Sequence, residues 1–218
     1  MDDGARGGAP RGRRREADRN DVRLMRAARA AFAELGWDAP VSEIARRAGI
    51  GMGSLYRRYP SKEALAQRMR VLAMDRLTEQ ATAASARHPD PWTAFTAFLR
   101  DAVSDQEPGG PLLRLLGGRL PSTGEVAAAA ARLRSALDAL VAAAHEADAL
   151  RRDVGPADVP LLLELLSLRI PAGAERSAEL RSRYLELVLD GLRAPASGDP
   201  LTGPAPEWRE LHAMWNAL

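Results

Sequence analysis

Three features of the 218-residue sequence predict an all-α fold. Ala, Leu and Arg, all strong helix formers, dominate it. Aromatic residues reach only 5%, and β-branched residues are scarce. No strand-like alternation of apolar and polar residues occurs, so no pair of strands is available for a hairpin. A chain of this length suggests one to two domains. It can remove roughly 70% of its unfolded surface from water, so it needs no covalent staple. It contains no cysteine, which excludes a disulfide scaffold and thiolate-held zinc or iron–sulfur centres. No run approaches the ~20 consecutive apolar residues of a membrane span, and no signal-type apolar segment follows the Arg-rich start. A soluble, cytoplasmic protein is expected.

The elements follow from periodicity and breakers. Residues 1–19 are Gly/Arg-rich without apolar periodicity and are expected to form a disordered arm. Asn20 can cap a first helix to Leu35, with Val22, Met25, Ala28, Phe32 and Leu35 inward and Gly36 ending it. A short helix over about Val41–Ala48 turns Val41, Ile44, Ala45 and Ala48 inward and ends at Gly49. A third runs from about Met52 to Tyr59 and stops at Pro60. Ser61 caps a long fourth helix to about Ala86, broken by His88-Pro89-Asp90-Pro91. Further helices are expected over Trp92–Gln106, Leu112–Gly117, Glu125–Leu150, Pro156–Ile170 and Glu175–Arg193. A Pro/Gly-rich linker then leads to a short amphipathic helix over Glu207–Leu218. The domains are therefore an arm over 1–19, a head over 20–65, a helical body over 66–194, and a linker with terminal helix over 195–218.

Charge is unevenly spread. The formal net charge is +2, but residues 1–70 carry +7 and the remainder −5. A basic head on an acidic body suggests a nucleic-acid-binding module joined to something else. Arginine supplies 30 of the 31 basic residues, Lys62 being the exception, which codon bias explains without selection for function.

The informative stretch is Val41 to Leu65. Two short helices joined by a Gly-containing turn make a helix-turn-helix, and Gly49 can take the positive φ that the turn needs. Ile44, Ala45, Ala48, Ile50 and Leu55 would pack inward. The second short helix then presents Met52, Gly53, Ser54, Arg57 and Arg58 outward, as a recognition helix does in the major groove. Arginine can read guanine or grip phosphate, while Tyr56 and Lys62 suit phosphate contacts. Gly53, lacking Cβ, lets the backbone approach DNA. Arg46 and Arg47 are either a solvated helix face or further DNA contacts. The arm residues Arg11, Arg13, Arg14 and Arg15 either solubilise the chain or enter a minor groove.

These residues also carry a family likeness. The segments A-A-R-A-A-F-A-E-L-G-W, I-A-R-R-A-G-I and G-S-L-Y-R-R-Y-P-S-K-E-A-L resemble the DNA-binding domain of the tetracycline-repressor (TetR) family. The likeness spans Val22 to Leu65, about a fifth of the chain. A-D-A-L-R-R-D-V-G-P-A-D-V is similar to a junction between two late helices in some members. The resemblance implies a homodimeric, sequence-specific transcriptional regulator. The expected form is a repressor released from double-stranded operator DNA by a small apolar or amphipathic effector. By positional match, Ser42, Met52, Gly53, Ser54, Tyr56, Arg57, Arg58 and Lys62 would face DNA. Pro40 stands where many members carry Ser or Thr, so a capping hydroxyl is lost there.

The resemblance further implies an effector pocket among the fourth to seventh helices. Met69, Leu72, Trp92, Phe95, Phe98, Arg114 and His145 are the candidates, with Arg100 a further polar anchor. Each also reads as core or surface. Two apolar stripes would form the dimer interface, the alternative being that they only cover their own core: Val159, Leu162, Leu163, Leu166 and Ile170, then Leu180, Tyr184, Leu187, Val188 and Leu192. Trp208, Leu211, Trp215 and Leu218 recur at helical spacing, so the terminal helix is expected to dock on its own dimer, in cis or in trans, with disorder as the alternative. The dispersed His88, His145 and His212, with no phosphate loop or nucleophile elbow, argue against an enzyme. No cofactor or metal is expected. A constitutive or architectural DNA-binding protein without effector is the alternative function.

Overall fold

The computed structural model describes residues 23–32, 34–104, 120–167, 173–194 and 199–216, and among these every regular element is helical. The chain divides into two units, Met1–Leu65 and Ala66–Leu218. No helix among the described residues is long and apolar enough to cross a membrane. The expected disordered arm, the Asn20 cap and the helix at Leu112–Gly117 lie outside the described residues.

In the first unit, α1 covers residues 23–32 and 34–35, followed by a 3-10 turn at Gly36–Asp38, α2 at Val41–Ala48 and α3 at Met52–Arg58. The inward face of α1 is Leu24, Ala27, Ala28, Ala31 and Phe32, all buried. Ala28 and Phe32 are inward as expected and Val22 lies outside the described residues, but Met25 and Leu35 depart from the expected face. Met25 is only half-buried, and Leu35 is 46% exposed. The face runs through positions three and four apart, and Leu35 is the last residue before Gly36, whose φ of 67° turns the chain away. Ile44, Ala45, Ala48, Leu55 and Leu65 complete this small core. The Phe32 and Trp37 rings stack with centroids 5.7 Å apart.

The longest helix, α4, covers Lys62–Arg87. Its start is capped as expected, the Ala64 N–H donating to Ser61 Oγ at 3.1 Å. α5 (Pro91–Ser104) begins on a proline, and Asp90 accepts from the Thr93 N–H at 2.8 Å. α6 (Gly124–Glu146), α7 (Asp158–Leu166) and α8 (Ala174–Leu192) surround α5. Phe95, Phe98 and Leu99 of α5 are fully buried among Leu133, Leu137 and Val141 of α6, Val159 and Leu163 of α7, and Leu185 and Leu189 of α8.

α6 stops four residues short of the expected Leu150. Asp148 adopts φ 49°, and the Ala149 and Leu150 N–H groups both return to the Ala144 carbonyl. The chain then pairs with the end of α8: Arg151 N–H donates to Leu192 O and Ala194 N–H to Ala149 O. Leu150 is fully buried by this arrangement. Tertiary pairing overrides the helix propensity of the Ala-rich run.

The terminal helix, α9 (Trp208–Asn216), docks on its own chain. The Trp208 indole N–H donates to Asp138 Oδ1 at 3.0 Å, the Arg134 guanidinium lies over its ring, and Leu211 is 1% exposed. The approach to α9 is pinned as well. Leu201 N–H donates to Asp153 at 2.7 Å, and Arg151 donates to the Asp199 carbonyl at 2.9 Å. Truncation after Pro195 is therefore expected to remove roughly 3 kcal/mol of apolar burial and lower Tm by roughly 5–10 °C. A thermal melt followed by tryptophan emission checks this; an unchanged Tm would mean that α9 contributes nothing.

Candidate nucleic-acid interface and ligand cavity

The turn between α2 and α3 is built by Gly49. Its φ is 66°, its N–H donates to Arg46 O at 3.2 Å, and the Ile50 N–H donates to Ala45 O at 3.1 Å. This pair of bonds closes the last turn of α2 and sends the chain back into α3. A side chain at Gly49 would meet no neighbour, so the backbone angle alone requires glycine. α2 starts at Pro40 with φ −65° and no side-chain cap, consistent with the missing hydroxyl.

α3 has seven residues, of which only Leu55 is buried. Met52, Gly53, Ser54, Tyr56, Arg57 and Arg58 are all exposed, as is Ser42 on α2. Arg57 Nη2 donates to Ser54 Oγ at 2.8 Å, and no carboxylate among the described residues pairs with Arg57. The bond to a neutral hydroxyl orients the guanidinium without cancelling its charge. A Cβ at Gly53 would meet nothing within 4 Å, so the unit's own packing does not demand glycine there. Lys62 is held differently from the others. Its ammonium lies 5.0 Å from the Trp37 ring centroid and 5.7 Å from that of Phe32, within cation–π range.

Arg46 and Arg47 have partners of their own. Both Glu43 carboxylate oxygens accept from Arg46, at 2.8 and 2.7 Å, and Arg47 Nε donates to Glu43 at 2.7 Å. Arg47 also pairs with Glu34 at 2.5 Å. Hydrogen bonds from Arg46 and then Arg47 lower the Glu43 pKa to about 2. Glu43 thus stays ionised at neutral pH and compensates these two arginines within the unit.

The second unit contains a cavity of about 470 Å³. Met74 from α4, Val126 and Leu133 from α6, and Trp208 and Leu211 from α9 form its apolar wall, with Arg70 on its lining. Its size suits a small organic ligand. None of Met69, Leu72, Trp92, Phe95, Phe98 and His145 lines this cavity. Met69, Phe95 and Phe98 are buried packing residues. Trp92 stacks near Phe95 and under the Arg193 guanidinium, and the His145 ring is hydrogen-bonded to Arg151 O at 2.9 Å. Arg100 is paired with Glu186 through two bonds of 2.8 and 2.9 Å. Arg114 lies outside the described residues. The Trp208–Leu211 spacing was the sequence signal pointing to this wall. Arg70, a single charge on an apolar helix face, gave no comparable signal.

The two apolar stripes divide between core and surface. Val159, Leu163, Leu166 and Leu192 are buried within their own unit, while Leu162, Leu180 and Val188 are half-buried. Tyr184 and Leu187 on α8 are 51% and 57% exposed, and Leu165 on α7, outside both expected stripes, is 62% exposed. Ile170 lies outside the described residues.

Known proteins resemble the chain in both units. Residues 24–69 match the family model for bacterial regulatory proteins of the tetR family. Residues 90–194 match the C-terminal domain model of SbtR-like transcriptional regulators. A TetR transcription regulatory protein from Mycobacterium vanbaalenii is 31% identical, with a TM-score of 0.58, 83% of this chain and 98% of that one being covered. A TetR transcriptional regulator from Streptomyces coelicolor is 30% identical, with a TM-score of 0.56 and coverage of 81% and 99%. The ketosteroid transcriptional regulator of Mycobacterium tuberculosis shares the fold at 22% identity and a TM-score of 0.60, with 80% of this chain and 95% of that one covered. No curated protein matches the chain.

Proposed function

The chain belongs to the TetR family of DNA-binding transcriptional regulators, and from that premise we propose that it is a homodimeric repressor released from its operator by a small apolar or amphipathic effector. One observation carries the DNA-binding part: α3 buries only Leu55 and turns its arginines to solvent. A helix of seven residues with so little packing of its own is suited to laying its outer side in the major groove. The residues that would do so are Met52, Gly53, Ser54, Tyr56, Arg57 and Arg58, with Ser42 beside them and Lys62 at the start of α4.

The dimer reading is supported by Tyr184, Leu187 and Leu165, large apolar side chains left outside their own core. A twofold pair of heads would match a palindromic operator. The cavity supports the effector reading over a constitutive DNA-binding protein. An effector releases DNA only by binding the DNA-incompatible conformation more tightly, and couplings of this kind are typically about 5–150-fold. The test is a gel shift on DNA upstream of the protein's own coding sequence, with and without an apolar metabolite extract of the host cell. Specific binding that the extract weakens within that range is expected. Specific binding that no fraction alters would favour the constitutive reading, and absence of specific binding to any genomic site would contradict both.

A further inference from the structure

Among the described residues, the cavity in the second unit is lined by charge of one sign. Arg70, Arg134 and Arg209 border it together with His212, and no aspartate or glutamate among the described residues does. Two of these three arginines are already matched. Arg134 pairs with Asp138 at 3.5 Å, and Arg209 pairs with Glu207 at 2.8 Å. Arg70 has no carboxylate partner among the described residues. It is also the most enclosed of the four, at 6% exposed.

Its hydrogen bonding is incomplete. Nη1 makes two long bonds, to Leu120 O at 3.3 Å and to Gln67 Oε1 at 3.4 Å, and Nε is buried with no partner among the described residues. Burial pushes the Arg70 pKa down, as expected for a cation removed from water without a counter-charge. A buried guanidinium left this way is costly to the fold, and such costs persist where a binding partner removes them. Its fork of donors suits a planar or tetrahedral oxyanion. Around it the wall is apolar: Met74, Val126, Leu133, Trp208 and Leu211. Two of these five belong to α9, so the terminal helix forms part of the enclosure.

We propose that this cavity binds a small organic anion with an apolar body, a carboxylate or a sulfonate, whose charged head is taken by Arg70 and whose body lies against the wall completed by α9. This deepens the effector reading and rests on it only for the regulatory consequence. Occupancy of the site is a separate matter from its effect on DNA.

Two probes with the same apolar body separate charge from size: 8-anilinonaphthalene-1-sulfonate, an anion, and N-phenyl-1-naphthylamine, which is neutral. Fluorescence titration of the full chain should show one anionic probe bound per chain, displaced by decanoate and not by decanol. Arg70→Gln should weaken the anionic probe by about tenfold or more, the scale of a lost charge-assisted hydrogen bond, and leave the neutral probe unchanged. Arg70→Lys should recover part of the loss. Equal affinities for the two probes, or an anionic probe indifferent to Arg70→Gln, would overturn the proposal. Ala127→Trp covers the case in which Arg70→Gln fails to fold. Ala127 lines the cavity from an exposed position, so the bulk fills the space without entering the core. That variant should lose the anionic probe, and undiminished binding would overturn the site. If decanoate binds as described but leaves operator affinity unchanged, the site stands and the effector reading fails.

Discussion

Leu187→Glu is expected to convert the protein from dimer to monomer and to weaken operator binding by on the order of 100-fold or more, the scale of lost avidity between two linked contacts. Leu187 is 57% exposed and takes no part in the core of its own unit, where Leu185 and Leu189 point inward instead. A charge there should leave the fold of one chain within about 0.5 kcal/mol of the original, as most surface substitutions do. In a twofold dimer the same change places two carboxylates in an apolar interface, where each loses water and neither gains a partner. Sedimentation should then report 23.5 kDa in place of twice that mass, with an unchanged helical spectrum. Tyr184→Glu should act in the same direction. A variant that remains dimeric would move the interface away from the outer face of α8.

Arg57→Ala and Arg58→Ala form the second expected result. Each should weaken operator binding by about 1–3 kcal/mol if it reads a base. If it holds phosphate instead, the log–log salt slope should fall by about 0.9 per lost contact. The two signatures differ, so one salt series per variant separates them. Fold stability should barely change, because both side chains are exposed and Leu55 alone anchors α3. Gly53→Ala sharpens the comparison. Alanine meets no neighbour within the unit and favours the helix by up to about 1 kcal/mol. A protein that melts no lower yet binds the operator more weakly would locate the demand for glycine at the DNA surface. Binding unchanged in all three variants would remove α3 from the interface.

The head was legible in the sequence because its signals are local. Gly49 marks the turn, Pro60 stops α3, Ser61 caps α4, and the apolar spacing of Ile44, Ala45, Ala48 and Leu55 assigns the inward side. The structure adds what periodicity cannot show. Glu43 lies within reach of both Arg46 and Arg47, so these two arginines are compensated while Arg57 is left to solvent. In α1 the spacing of Ala28 and Phe32 marks the buried face, but Met25 and Leu35 fit a helical spacing as well as Leu24 and Ala31 do, so periodicity alone does not exclude them.

The body was less legible because its chemistry is assembled from distant segments. Trp92, Phe95 and Phe98 fit a pocket wall or a core equally well by spacing, and packing from α6, α7 and α8 makes Phe95 and Phe98 core. The cavity joins Arg70 to Trp208 and Leu211 across most of the chain's length. No local pattern announces such a contact. The early end of α6 has the same origin, since the partner of Leu150 is Arg193 on the far side of two helices. Leu165 carries no distinct signal because its neighbours Leu162, Leu163 and Leu166 already satisfy a helical stripe.

The central claim is that α3 enters the major groove and that a second copy does so alongside it. Guanine N7 faces that groove, so dimethyl sulfate protection on the bound operator tests the claim most directly. Guanines should be protected in two half-sites, roughly one helical turn or a multiple of it apart, and Arg57→Ala should remove protection from both. Protection confined to the minor-groove face of adenine, a single unpaired site, or a pattern indifferent to Arg57→Ala would contradict it.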